Sequence, residues 1–494
     1  MSEHFIPRSD AETDLLACAT YIAESIEGGE ARGEAISAVV PHYLEKGNVD
    51  LAAELANTVD DPFTRDQLLI AVVEKCAGLD DDEYAMQIAE AIEEPGFQAQ
   101  AFERVGLVKA EKGDCEKARQ VAGMMPHPDS VLAGIAMRQS TDGDSTSALA
   151  TIDEIDFSSE AVSALNTIAA SKITAGEGEA AAELLEQSLK RAGEIEHDEE
   201  RIRSICGIGN LFQEAGQNRR AVETFEMARV EAEHVDNVHR DALLAQVALG
   251  FLGAGSIELA DRTLDAVRDK TQIAAVVLGF ARDHWRREEK DEAVEALEES
   301  FAILRSQHEF ETRDSKSKFG LMGSVAAQFA GFEKTERAIE VAESIEDEGQ
   351  RSAALATVAA IAAAQGDEFR GRQALDSIPE VSDRMFALIG MSDAVSITDA
   401  VLASDFLNRA ERRSNEVAQL GPKVDGLIEI GKRRVRAGEI DGIRSLISRI
   451  IEVVATMRSE RGIVRTLAQL ATFTENAELT LSEADRGKLQ SLLE

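Results

Sequence analysis

Apolar positions recur along the chain at helical spacing, in pairs of segments separated by a glycine. In the first pair Ile36, Val39, Val40 and Leu44 fall on one helical face, and Leu51, Leu55 and Ala56 on the next. This i, i+3, i+4 spacing predicts two amphipathic helices. Gly47 stands between them, and glycines recur in like places at Gly78, Gly113, Gly176, Gly216, Gly255, Gly331, Gly366 and Gly438. Alanine follows five residues later at Ala52, Ala118, Ala181, Ala221 and Ala260. After Gly78 and Gly331 the alanine comes later, at Ala85 and Ala338. An internal repeat of this length predicts a solenoid of helical pairs. The glycine should reverse the chain in a left-handed conformation, which it adopts without Cβ cost. The alanine should let two helix axes approach to about 8–9 Å.

The same pattern predicts the ends and the linkers. Ser9 to Glu27 reads as one amphipathic helix with Ser9 as N-cap and Glu12 three residues on. A last helix is expected at about Ser482 to Leu493. The predicted organisation is an N-terminal extension and capping helix over 1–30, a solenoid over 31–475 and a C-terminal capping helix over 476–494, with about twelve or thirteen helical pairs. The linkers Asp60-Asp61-Pro62, Glu94-Pro95-Gly96 and Pro126-His127-Pro128 hold four of the eight prolines. Arginines recur just after linkers, at Arg65, Arg201, Arg240, Arg351 and Arg384. A cation at a helix N-terminus opposes the macrodipole, so carboxylates of the adjacent linker are expected to hold each one.

The unit around 202–235 resembles a tetratricopeptide repeat, through Gly209, Phe212, Gly216, Ala221, Phe225 and Ala228. The third unit matches at Gly106, Gly113 and Ala118, and the fifth at Gly176 and Ala181. The family's tryptophan position is Ile205 here, and its closing proline is absent. The resemblance implies an all-α, right-handed α-solenoid whose first helices line a concave face. It implies no chemistry of its own.

Composition agrees with helices packed closely through small aliphatic side chains. Hydrophobic residues make up 44% of the 494, but aromatics only 4%, so Ala, Leu, Ile and Val must build the core. The net charge of -40 arises from 92 Asp and Glu against 52 Lys and Arg. Most of such a surface repels nucleic acid. It suits a halophilic protein, in which concentrated salt mutes self-repulsion, and it also suits Glu-rich solvated helix faces of ordinary origin. Cys18, Cys76, Cys115 and Cys206 form no CxxC pair and read as small apolar core residues of a reducing compartment. With no signal-peptide core and no apolar run long enough to span a bilayer, the expected location is cytoplasmic and away from membranes.

Catalytic signatures are missing from the sequence. It has no HExxH, no GxxxxGK[ST] and no GxSxG, and Gly207 and Gly209 fall inside a helix rather than after a strand. No cofactor, metal or catalytic residue is expected. The predicted function is a non-catalytic scaffold or adaptor that binds a peptide or protein segment in the concave groove. Asn166, Arg203, Asn210, Gln213 and Leu249 fall on first-helix positions expected to line that groove, with Ala245 and Leu252 beside Leu249. The alternative lies at 401–470, which carries 13 Lys and Arg against 9 Asp and Glu. There Arg412, Arg413, Lys432, Arg433, Arg434 and Arg436 form a candidate patch for an acidic partner, a second copy of the chain, or nucleic acid or another polyanion. Intramolecular pairing with acidic neighbours is the other fate open to these charges.

Overall fold

The structure, a computed structural model, describes residues 4–306, 315–439 and 442–494. Among these residues every regular element is an α-helix. A short α1 (Arg8–Ala11) precedes α2 (Leu15–Ser25), and paired helices follow. The first pairs are α3 (Gly29–Glu45) with α4 (Val49–Asn57), α5 (Pro62–Gly78) with α6 (Asp82–Ala91), and α7 (Pro95–Glu111) with α8 (Cys115–Ala122). Next come α9 (Asp129–Thr141) with α10 (Ser145–Ile152), α11 (Ser158–Thr174) with α12 (Gly178–Ala192), and α13 (Asp198–Glu214) with α14 (Asn218–His234). The middle of the chain continues with α15 (Arg240–Gly253) and α16 (Ile257–Leu264), α17 (Lys270–Arg286) and α18 (Lys290–Arg305), and α19 (Ser315–Gly331) and α20 (Thr335–Glu343). The last pairs are α21 (Glu348–Ala364) with α22 (Glu368–Asp376), α23 (Val381–Val395) with α24 (Ala400–Ser414), and α25 (Leu420–Arg436) with α26 (Ile443–Val454). The chain ends with α27 (Glu460–Asn476) and α28 (Glu483–Leu492).

The predicted helix over 9–27 is broken in two. The first piece ends at Ala11, and Asp14 caps the second, accepting the backbone N–H of Ala17 at 2.8 Å. The Ser9 hydroxyl instead reaches the Asp10 carboxylate at 3.2 Å. An aspartate satisfies an orphan N–H at a helix start better than it serves a helix interior.

The repeat is more regular in space than in sequence. Gly47, Gly113, Gly176, Gly216, Gly255, Gly366 and Gly438 all take positive φ at the reversal. Gly78 and Gly331 do not. Both finish a helix, and Asp80 (φ 64°) and Glu333 (φ 58°) make the left-handed turn in their place. Counted from these residues, Ala85 and Ala338 again come five positions later. Gly143 to Ala148 and Glu288 (φ 63°) to Ala293 obey the same interval. Ala52, Ala85, Ala118, Ala181, Ala221, Ala260, Ala293 and Ala338 have no exposed surface, as a helix crossing requires.

Of the five linker arginines, Arg65 meets the Asp66 carboxylate at 3.0 Å and Arg240 meets Asp241 at 3.0 Å and the Ala266 carbonyl at 3.1 Å, while the other three reach backbone carbonyls of the linker before them. Arg201 donates to the Ile195 carbonyl at 2.7 Å, Arg351 to Ile345 at 3.1 Å and Arg384 to Ile378 at 2.5 Å, each six residues back. Those carbonyls trail the second helix of the preceding pair, where the negative end of its dipole favours a cation. Carboxylates add to this at Arg201, which also bonds Asp198 and, at 2.8 Å, Glu231. Buried Asp129 and half-buried Asp241 perform the converse task. Asp129 accepts the N–H of Phe157 at 3.0 Å ahead of α11, and Asp241 accepts that of Asp269 at 2.7 Å ahead of α17.

The chain divides into two compact units. One comprises 106–354, where Phe212, Phe225 and Phe251 are wholly buried among aliphatic side chains. The other comprises 1–105 together with 355–494, so both chain ends belong to it. Within that unit α27 packs on α2 and α3. Arg461 pairs with Glu34, Lys46 pairs with Glu475, and the Thr472 hydroxyl meets His42 Nδ1 at 2.7 Å. No helix among the described residues is long and apolar enough to cross a membrane.

Candidate interaction site

In the unit of 106–354, an open cleft of about 1090 Å³ runs between the first helices α11 and α13. From α11 it receives Ser159, Ser163, Asn166, Thr167 and Ala170, which follow the i, i+4, i+7, i+8, i+11 spacing of one helical face. Helix α13 supplies Glu199, Glu200, Arg203, Ser204 and Gly207, and Asn237 ahead of α15 completes the wall. The cleft is therefore rich in donors and acceptors and poor in large apolar side chains.

Two groups in this cleft are oriented by their neighbours. The buried Ser188 hydroxyl donates to Asn166 Oδ1 at 2.7 Å. That bond fixes the amide and leaves its two N–H donors for an occupant. Arg203 is exposed and bonds Glu199 one turn earlier at 2.8 Å. Exposed pairs of this kind are worth little and exchange readily, so the guanidinium can turn to a carboxylate in the cleft. Gly207 keeps the floor open, because a Cβ at that position would meet nothing within 4 Å.

Asn210, Gln213 and Leu249, expected beside Asn166 and Arg203, sit elsewhere. Asn210 is exposed outside the cleft. Gln213 packs on Gly253, where a Cβ would stand 2.8 Å from its Oε1. Leu249 packs on Gly279 of α17, and Ala245 and Leu252 are buried. This stretch joins helix pairs together. The hydroxyls of Ser159, Ser163 and Thr167 were not picked out from the sequence. Their common spacing with Asn166 on α11 was the available signal.

In the unit of the chain ends, the basic residues of α25 are largely engaged internally. Lys432 bonds Glu429 at 2.9 Å, and Arg433 bonds Asp393 at 2.8 and 2.7 Å as well as Glu429. The Asp393 hydrogen bonds raise the Arg433 pKa. Burial works to raise the Glu429 pKa, yet hydrogen bonds from Lys432 and Arg433 hold it below its ordinary range. Arg434 is buried against Glu411 and Asn408, each at 2.7 Å. Arg412 and Arg413 are on α24, the helix that Arg434 packs against, and both line a pocket there.

Burial pushes the thiols of Cys18 and Cys206 up to about 12 and that of Cys76 to about 11. They stay protonated at neutral pH and serve as packing.

No family model matches the chain, and no curated protein matches it. Among solved structures it is similar to Ton1535 from Thermococcus onnurineus NA1, with 18% identity over 71% of this chain and 97% of that one, at a TM-score of 0.25. It is also similar to a putative kinesin light chain of Podospora anserina with nearly identical TPR-like repeats, with 21% identity over 37% of this chain and 95% of that one, at a TM-score of 0.26. A third is the apo form of the quorum sensor NprR from B. thuringiensis, with 11% identity over 65% of this chain and 97% of that one, at a TM-score of 0.27. The chain's own paired helices make it an all-α helical-repeat protein over the described residues.

Proposed function

We propose that the chain is a non-catalytic scaffold that holds an extended segment of another protein in the cleft between α11 and α13. The observation that carries this reading is the orientation of Asn166. Its carbonyl oxygen is taken by Ser188, and its N–H pair is left for the backbone carbonyls of an extended peptide. The hydroxyls of Ser163 and Thr167 offer further contacts along α11, and Arg203 offers a cation for an acidic side chain or a terminal carboxylate.

The test is selection of a random peptide display library on the full-length protein. A consensus enriched by the wild type should be lost with Gly207→Leu, which fills the cleft without meeting a neighbour at its Cβ. It should also be lost with Asn166→Asp, which still accepts from Ser188 but removes the N–H donors. Enrichment that survives both variants would show that the cleft is not the binding site.

A further inference from the structure

A second surface lies on the unit of the chain ends, between the second helices α22 and α24. There a pocket of about 410 Å³ is lined by four guanidinium groups, those of Arg372, Arg409, Arg412 and Arg413. Two are engaged: Arg409 with Asp405 at 2.5 Å and Arg413 with Glu416 at 2.9 Å. Arg372 and Arg412 are exposed and make no ion pair among the described residues. Leu375, Leu388, Met391 and Phe406 give the pocket an apolar base. Three carboxylates, Glu368, Asp376 and Glu416, also line it, so the lining keeps a single excess positive charge on a chain whose net charge is -40. Phe369, 80% exposed, stands three residues before Arg372 on α22.

We infer that this pocket docks an acidic segment of a partner protein, which sets carboxylates on Arg372 and Arg412 and an apolar side chain on the base between them. The charges favour a short acidic segment over a long polyanion. Two unpaired guanidinium groups match two carboxylates. RNA or DNA would have to run on across a surface whose overall charge repels phosphates. The apolar base gives such a segment something to bury that a phosphate chain lacks. This site is independent of the cleft between α11 and α13.

Fluorescence anisotropy on the full-length protein tests it. The probe is a labelled twelve-residue peptide with one glutamate on each side of a central phenylalanine and otherwise uncharged residues. It should bind saturably and about tenfold or more weakly to the Arg372→Glu/Arg412→Glu variant, while Arg262→Gln, exposed on α16 of the other unit, leaves the affinity unchanged. Thermal melting should show both variants folded, since neither Arg372 nor Arg412 supports an internal ion pair. Should charge reversal prevent folding, Arg372→Gln alone should still weaken binding. Several results would overturn the inference: no saturable binding, equal affinity in the folded variants, equal affinity for a peptide without the phenylalanine, equal displacement by inorganic phosphate, or tighter binding of a single-stranded RNA of equal charge.

Discussion

The ring of Phe225 fills the space that a side chain at Gly209 would need. A Cβ on Gly209 would stand 2.6 Å from the ring's Cε1, and one on Gly250 would meet the same ring. Phe225 of α14 is thus wedged against bare backbone of α13 and α15, wholly buried. Gly209→Ala should destabilise the protein by about 1–3 kcal/mol through overpacking. Adding Phe225→Leu should recover part of that loss, since it removes the atoms that clash. Thermal denaturation of the single and double variants as a mutant cycle checks this. Additive losses would mean that the two residues do not share the space.

The turn geometry makes a prediction with opposite signs at two neighbouring kinds of site. Glu333→Gly should stabilise by about 1 kcal/mol, because Glu333 holds a left-handed conformation at φ 58°. Gly331→Ala should also stabilise, because Gly331 is helical and a Cβ there meets nothing within 4 Å. Gly47→Ala should destabilise instead, at φ 74°. Urea denaturation midpoints give all three signs.

Much of this was legible in the sequence, because a repeat imprints its turn and crossing residues on the chain. Gly113 and Ala118 could be read directly. Asp80 and Glu333 could not, since an acidic residue in a left-handed turn looks like any exposed acid. The spacing therefore seemed irregular where the structure keeps it constant. The candidate sites were less legible. Helical periodicity places Asn166 on a face, but only the fold brings it to Arg203 on the next first helix and supplies Ser188 to orient it. Arg412 and Arg413 stood out as a basic run. Arg372 reaches the same pocket from another helix pair, and no local pattern announces that.

The arginine that follows a linker should resist conservative replacement. Arg201→Lys keeps the charge but not the planar fork that reaches the Ile195 carbonyl, Asp198 and Glu231 together. It should cost about 1–3 kcal/mol, because Ile195 is buried and its carbonyl loses a partner. Arg203→Lys, two residues on and exposed, should be close to neutral. Melting temperatures of the two variants should separate cleanly.

Stability should fall in mild acid because of His42. Burial lowers its pKa, outweighing Glu45 and Glu475, which raise it, while Lys46 also lowers it. Below the ordinary histidine value of about 6.5 the unfolded chain takes up a proton that the folded chain resists. The stabilisation is thus fully present above about 6.5 and is lost as pH falls through the lowered folded value. Since His42 bonds Thr472, the packing of α3 on α27 should loosen first. Hydrogen exchange of these helices between about pH 7 and 5 should show it, and His42→Gln should flatten the dependence.

The central claim is that the cleft between α11 and α13 holds a segment of another protein. A photo-crosslinking residue placed at Thr167 in the full-length chain, followed by mass-spectrometric mapping of adducts formed in native extract, tests it most directly. The expected result is one reproducible partner sequence, lost when Gly207→Leu fills the cleft or Asn166→Asp removes its donors. Adducts that are scattered, or that persist unchanged in both variants, would contradict it.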